Sequence, residues 1–497
     1  MKKFLRILVR FITFLPAFAI QALWYYLVYS LLREWTTYLN IFLFVYQVFA
    51  IIYIFNKREE ANYKLLWITT ILIFPFAGII LYFLAGNKKS ARPIHNKINR
   101  NKIYPLDIPS LALQEHTLGD QTMTLLHHLS SYPITPVSHS KFYPLGDDMF
   151  PDMVKALKEA KHFIFIEYFI IEKGVFWNTI VEILKEKVKE GVVVKVLYDD
   201  IGSISTYSIH SQLDLKKAGI DLVSFNPIIY LAFRLNNRDH RKMMIIDNEI
   251  AFSGGVNLAD EYINQKTRFG HWKDIGFFIK GEPVWVYTHL FCLFWNAYSK
   301  HKIDERKLYR PALDTQEAKT KSLTYFDSPY FDEAISNRFF VSVLGSAKDY
   351  AYFYTPYLIL NDSLKEAFIQ ASQRGVDVRI IIPGIPDKKM VYSLTLKYAE
   401  TLAKYGVKVY RYLPGFVHAK GAVIDDKICS IGSVNLDYRS LYLHFESNTV
   451  FMDSEMVFDV KADFLKTQEK CEQVHYKKHN IFVKLYRSIL DIFSPLF

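Results

Sequence analysis

The chain has 497 residues, of which 51% are hydrophobic and 16% aromatic; this is enough apolar material for two or more domains with large cores, and it excludes an intrinsically disordered chain. The formal charge of +11 selects anionic partners without separating a lipid surface from nucleic acid, and beside so much apolar surface it suits a membrane-associated protein. Three cysteines, Cys292, Cys429 and Cys471, are odd in number and share no short metal-ligand spacing; this argues against a disulfide framework or a zinc site, and they read as reduced packing residues.

The first apolar run, residues 11–32, follows Lys2, Lys3, Arg6 and Arg10 and contains Pro16. It reads as an uncleaved helix and not a signal peptide, because two further spans follow. Residues 39–55 and 65–85 are each close to the roughly 20 apolar residues that cross a bilayer core, and the polar stretch 56–64 between them predicts a membrane hairpin. Trp35, Tyr38, Tyr63, Trp67 and Tyr82 lie near the ends of the runs, where aromatic rings suit the interface. After Gly86 come Lys88, Lys89, Arg92, Lys97, Arg100 and Lys102, with no acidic residue before Asp107; the positive-inside preference therefore places the rest of the chain in the cytoplasm. With that end inside, the first helix either spans, against the same preference, or lies in the interface. Residues 1–87 are thus a membrane region of two or three hydrophobic helices, and 88–130 a basic linker.

From about residue 145 short β-branched and aromatic runs alternate with helical periodicity, the signature of an α/β sheet with crossover helices. The order occurs twice. A strand over 163–171, a helix over 177–190 and a strand over 192–198 are repeated as 350–357, 364–374 and 376–382, with Gly191 and Gly375 at the equivalent helix end. Two copies of one domain, 131–310 and 311–478, are expected.

Each copy ends alike. His-Arg-Lys-Met-Met-Ile-Ile-Asp at 240–247 is followed by Gly254, Gly255, Val256 and Asn257; His-Ala-Lys-Gly-Ala-Val-Ile-Asp at 418–425 is followed by Gly432, Ser433, Val434 and Asn435. A lone histidine-x-lysine is a weak signal, but two copies with matched flanks are not an accident. Read as strand, the spacing puts His240 beside Lys242 and His418 beside Lys420 on one face. The glycines permit close backbone approach, and Asn257 and Asn435 can donate to the oxygens that the lysines attract, so a phosphodiester is the natural occupant. If the repeats pack about a pseudo-twofold axis, one imidazole attacks phosphorus while the other protonates the leaving oxygen and then deprotonates an incoming hydroxyl. Lysines and asparagines stabilise the developing charge, so no metal or other cofactor is called for. A nucleophilic imidazole needs a carboxylate on its other nitrogen, and Asp274 and Glu446 are the candidates. Asp247 and Asp425 are counted with the catalytic set on the motif alone, since their odd offset suits an anchor at the strand end. Where the first copy has Gly255 the second has Ser433, an extra hydroxyl for phosphate that would mark the leaving-group side.

From about residue 130 to the end the motifs resemble the paired signature of the phospholipase D superfamily. Residues 165–168, 237–242, 254–262 and 355–357, with the membrane hairpin, are similar to those of the bacterial cardiolipin synthases. The resemblance implies two tandem phospholipase D-like α/β sandwich domains related by pseudo-twofold symmetry. It implies a reaction that joins two phosphatidylglycerol molecules into cardiolipin and glycerol, with His240 as nucleophile and His418 as general acid and base. The expected partners are phosphatidylglycerol and anionic membrane lipid, with no nucleic acid, and the expected location is the bacterial cytoplasmic membrane, multi-pass, with the catalytic domains facing the cytoplasm. The alternative is a hydrolase of the same superfamily, a lipase or a nuclease, in which water is the acceptor. Two further segments concern lipid. Pro227, Ile228, Ile229, Tyr230, Leu231 and Phe233, within 226–236, form either an apolar lip for acyl chains or a buried strand edge. At 479–497, Phe482, Leu485, Tyr486, Ile489 and Phe493 recur at helical spacing, which fits an amphipathic helix either seated on anionic lipid or docked on the core.

Overall fold

A computed structural model describes residues 18–86, 96–98, 108–113, 117–227, 236–312, 319–331 and 333–496. The chain forms two compact units. One holds the N-terminal helices together with the last residues from Ser488; the other holds the α/β repeats.

In the first unit the helix Thr36–Phe55 buries only Leu43 and Ile54 and exposes Phe42, Phe44, Val45 and Phe49. Its segment Arg33–Phe55 is the one helix among the described residues long and apolar enough to cross a membrane. The second arm of the expected hairpin takes a different form. Its apolar run breaks into Ala61–Ile73 and Pro75–Leu81, because Pro75 has no N–H to continue the ladder and Phe74 turns out of the helix at φ −126°, ψ 79°. The two pieces pack closely, since a Cβ on Gly78 would stand 2.7 Å from the carbonyl oxygen of Thr70. The N–H groups left open at the break, those of Phe76 and Ala77, donate to Gln21 Oε1. Of the first apolar run, residues 18–31 are helical and residues 11–17 lie outside the described residues.

The second unit is built on repeated strands. The first repeat contributes β1 (Thr135–Tyr143), β2 (Phe163–Tyr168), β3 (Val193–Asp199), β4 (Asp221–Phe225), β5 (Lys242–Ile246), β6 (Ile250–Gly254), β7 (His271–Lys273) and β8 (Gly276–Gly281). The second contributes β9 (Lys321–Asp327), β10 (Tyr350–Tyr354), β11 (Asp377–Pro383), β12 (Lys408–Tyr412), β13 (Gly415–Val417), β14 (Gly421–Ile424), β15 (Ile428–Gly432), β16 (Glu446–Met452) and β17 (Cys471–Gln473). The order β4-β3-β2-β5-β6-β8-β1 runs directly into β9-β16-β15-β14-β10-β11-β12-β17, joined where Thr135 pairs with Ser322 and Pro136 with Lys321. Read outward from that seam, the two halves have the same strand order apart from the extra edge strand β17, so the pseudo-twofold axis lies between β1 and β9.

The crossover helices Val175–Lys189 and Asp362–Gln373 each end near a glycine of positive φ, Gly191 at 88° and Gly375 at 92°, as the repeated sequence predicts. The helix Pro283–Tyr298 is buried on nearly every side; Phe291 stacks on Phe165 at 4.6 Å between ring centroids. That helix packs on β9 of the other repeat, and its counterpart Glu455–Gln468 packs on β1, so each repeat's last helix clasps its twin.

The end of the expected basic linker is structured: Leu118–Ser130 is a helix with a Thr117–Asp120 capping box. Of the expected apolar lip, residues 228–235 lie outside the described residues.

Candidate active site

Both strands that carry the motifs begin later than the spacing suggests, and the histidines precede them. β5 opens at Lys242 and β14 at Gly421, just after Lys420. The segment that carries each histidine, just upstream of the strand, pairs instead with the opposite repeat. His240 N–H donates to the carbonyl of Phe445 at 2.9 Å, and His418 N–H donates to that of Lys273 at 2.7 Å, in short parallel pairings of Asp239 with Phe445 and of β13 with β7. The next residue after each acceptor is a carboxylate. Pairing therefore delivers Glu446 of the second repeat to His240 of the first, and Asp274 of the first to His418 of the second.

His240 Nδ1 lies 3.0 Å from both oxygens of Glu446, and His418 Nδ1 lies 2.6 Å from Asp274 Oδ2. An ionised carboxylate only accepts, so Nδ1 of His240 carries the proton and its lone pair is left on Nε2; Nδ1 of His418 also lies 2.8 Å from Lys420 Nζ, and with Asp274 protonated it accepts and leaves the imidazole proton on Nε2. Glu446 also accepts from the hydroxyls of Ser433 and of Ser440, the latter at 2.8 Å. Asp274 accepts from the Ile275 N–H at 2.9 Å. Lys242 and Lys420 are almost fully buried, and each Nζ donates to the carbonyl of its own histidine.

Burial governs the protonation of the site. It pushes both imidazoles well below their usual range, and Lys242 and Lys420 lower both further. His418 is itself among the charges that depress His240, so the two motifs share one electrostatic environment. Burial also lowers Lys242 to about 8 and Lys420 to about 7, and raises Asp274 and Glu446 each to about 7. Both ammonium groups thus gain from an anion between them.

Hydrogen bonds in the structure bear on three of the expectations. Asp247 and Asp425, grouped with the catalytic residues by motif, are strand anchors. Asp247 accepts from the N–H groups of Lys161, His162 and Phe163 at 2.6, 2.8 and 2.6 Å, and Asp425 from those of Lys348, Asp349 and Tyr350 at 2.7, 3.0 and 2.7 Å. Ser433, expected to meet phosphate, spends its hydroxyl on Glu446. Asn257 accepts from Ile170 N–H at 3.1 Å and donates to Tyr262 Oη at 2.8 Å, which commits part of the amide expected to meet phosphate; Asn435 is bonded to Asp437, and its buried Oδ1 has no partner among the described residues.

Sequence reasoning missed Ser440 and the clamp that fixes the first motif. Arg238 Nε reaches Asp199 Oδ1 and Oδ2 at 3.0 and 2.9 Å, and the Asp239 N–H donates to the same carboxylate at 3.0 Å. The only signal was Arg238's place in the run 237–242. The imidazole neighbours also differ: Phe169 and His444 stand 4.9 and 6.1 Å from the His240 ring, Tyr262 and Trp272 5.2 and 5.5 Å from that of His418.

The family described as "Cardiolipin synthase, PLD-like domain" matches residues 153–274 and 340–467, one match per repeat, and "Phospholipase_D-nuclease N-terminal" matches residues 45–87. The chain belongs to the cardiolipin synthase family of the phospholipase D superfamily. It is 31% identical to the "Cardiolipin synthase" of Alkalihalophilus pseudofirmus, covering 90% of this chain and 92% of that one. It is 32% identical to "Cardiolipin synthase 2" of Staphylococcus epidermidis, covering 90% and 95%. A protein of Streptococcus mutans called uncharacterized is 36% identical over 90% of this chain and 99% of its own. Among solved structures, the phosphatidylserine synthase of Haemophilus influenzae superposes with a TM-score of 0.58 over 76% of this chain and 98% of that one. At 13% identity that likeness concerns the fold of the family's paired domains. The N-terminal match and the apolar helix Arg33–Phe55 that overlaps it suggest a membrane protein.

Proposed function

We propose that this chain is a phosphatidyltransferase that makes cardiolipin and glycerol from two molecules of phosphatidylglycerol. The observation that carries the reading is the pair of buried imidazoles, each with a carboxylate of the opposite repeat on Nδ1 and a lysine beside it, in a chain of this family.

His240 Nε2 attacks the phosphorus of the first phosphatidylglycerol, forming a P–N bond as the P–O bond to the glycerol headgroup breaks. His418 Nε2–H protonates the departing glycerol oxygen, and the His418–Asp274 pair supplies that proton because the buried carboxylate titrates near 7. Glu446 balances the charge on the phosphorylated imidazole. The terminal hydroxyl of a second phosphatidylglycerol then gives its proton to His418 and attacks phosphorus, which breaks the P–N bond and returns His240. Lys242 and Lys420 hold the non-bridging oxygens throughout. Every step balances with groups of the chain and the two lipids.

In this reading the domains run over 131–310 and 311–478. The protein sits in the bacterial cytoplasmic membrane by more than one segment, and the basic residues after Gly86 keep the catalytic domains in the cytoplasm. Incubation of the purified protein with phosphatidylglycerol tests the chemistry: cardiolipin and glycerol should appear in equal amounts. Phosphatidic acid as the main product, without cardiolipin, rejects the synthase reading in favour of hydrolysis. Acid-labile lipid phosphate should be trapped on His240, and its appearance on His418 would reverse the roles.

A further inference from the structure

The helix Ile481–Ile492 presents two unlike faces. On one, Arg487 Nη1 donates to Glu400 Oε2 at 2.7 Å, His479 Nε2 lies 2.7 Å from the same oxygen, and Leu490 is buried. This face anchors the helix through a polar contact. On the other, Ile481, Phe482, Leu485, Tyr486, Ile489 and Phe493 form a continuous apolar arc, with Phe482 77% and Ile481 70% exposed. Elsewhere on the α/β unit the exposed large apolar side chains occur mostly singly, as Ile204, Leu213 and Met390 do, which is ordinary for a water-facing surface. Six together are not.

The sequence leaves two outcomes for this segment, and the structure separates them by face: the polar edge docks while the apolar arc remains uncovered. We infer that the arc is a membrane-seating surface, lying in the headgroup and upper acyl region of an anionic phospholipid bilayer. Two observations choose the occupant. Lys477 and Lys478 just before the helix and exposed Lys484 on it supply the cationic rim that anionic headgroups attract. Ser494–Leu496, directly after the helix, packs on the helix Ala61–Ile73 within the N-terminal unit, so the segment ends among the apolar helices. The inference rests on the membrane reading of those helices.

The test uses the full chain in phosphatidylglycerol nanodiscs, with Cys471→Ser as background and a fluorophore on Leu485→Cys or, separately, Ile489→Cys. Both labels should be quenched by nitroxide-bearing phospholipid and be about threefold less accessible to aqueous iodide than a label on exposed Lys466→Cys, and the shielding should weaken in phosphatidylcholine. Iodide access equal to the Lys466→Cys control overturns the inference. So does shielding without nitroxide quenching, which would mean that protein covers the arc. A label on Phe44→Cys reports the N-terminal helix separately, so failure of the membrane reading is distinguishable from failure of the helix to seat.

Discussion

The two halves of the site carry the same three functional groups and support them by different means. Around His240 the carboxylate is a glutamate held by two hydroxyls, those of Ser433 and Ser440. Around His418 it is an aspartate held by a backbone N–H, and a Cβ on Gly255, the counterpart of Ser433, would stand 2.0 Å from its Oδ1. Five residues beyond each asparagine the first repeat has Tyr262 beside His418 and the second has Ser440 on Glu446. The histidine and lysine are kept in both halves, as the proposed attack on one shared phosphorus requires. Their supports are free to differ because only the direction of the Nδ1 hydrogen bond matters.

The largest effect should come from the imidazoles. His240→Ala and His418→Ala should each lower transfer about 10³–10⁴-fold, and the double variant should be little worse than either, since the pair acts as one unit; additive losses in cardiolipin formation would break the shared site. Asp247→Ala should cost about 3–5 kcal/mol by stranding three N–H groups. Asp425→Ala should cost less because its contacts are more exposed, both read from the shift in melting temperature.

Asp274→Asn sharpens the comparison by pH. The folded carboxyl titrates near 7, far above the ordinary aspartate value, so between about 4 and 7 the folded chain holds a proton that the unfolded chain releases. Stability of the parent falls as pH rises through that window, and the variant should gain on it by roughly 2–4 kcal/mol, measured as melting temperature against pH. Glu446→Gln should slow transfer about 10–100-fold, and a double-mutant cycle should couple it to His240 and not to His418. Ser433→Ala should be mildest, at about a fewfold in kcat, because Ser440 and His240 still hold Glu446; unchanged kcat would remove the hydroxyl from the His240 half.

The repeat, its strand–helix–strand order and the two motifs were legible because they are local patterns: β2, β3, β10 and β11 fall within a few residues of the expected strands. Asp274 and Glu446 could be picked as carboxylates downstream of the asparagines. Their crossing could not be read, because Glu446 lies 206 positions from His240 and Asp274 144 from His418, and only the inter-repeat pairing brings them together. Ser433 misled for a related reason: a hydroxyl next to a phosphate motif reads as a phosphate donor until the carboxylate behind it is placed. The break at Pro75 within the second apolar run was not legible, because composition alone reads through an interruption that the backbone cannot.

The crossed carboxylates bear on how such a chain can change over generations. Each histidine depends on an acid encoded in the other repeat, so neither copy can be lost or replaced alone without orphaning its twin's imidazole. Within one copy, however, the acid and the small residue beside it form a closed pair: aspartate requires glycine at 255, and glutamate accepts serine at 433. Substitutions at 255 and 274, or at 433 and 446, should therefore be inherited together, while the histidines stay fixed.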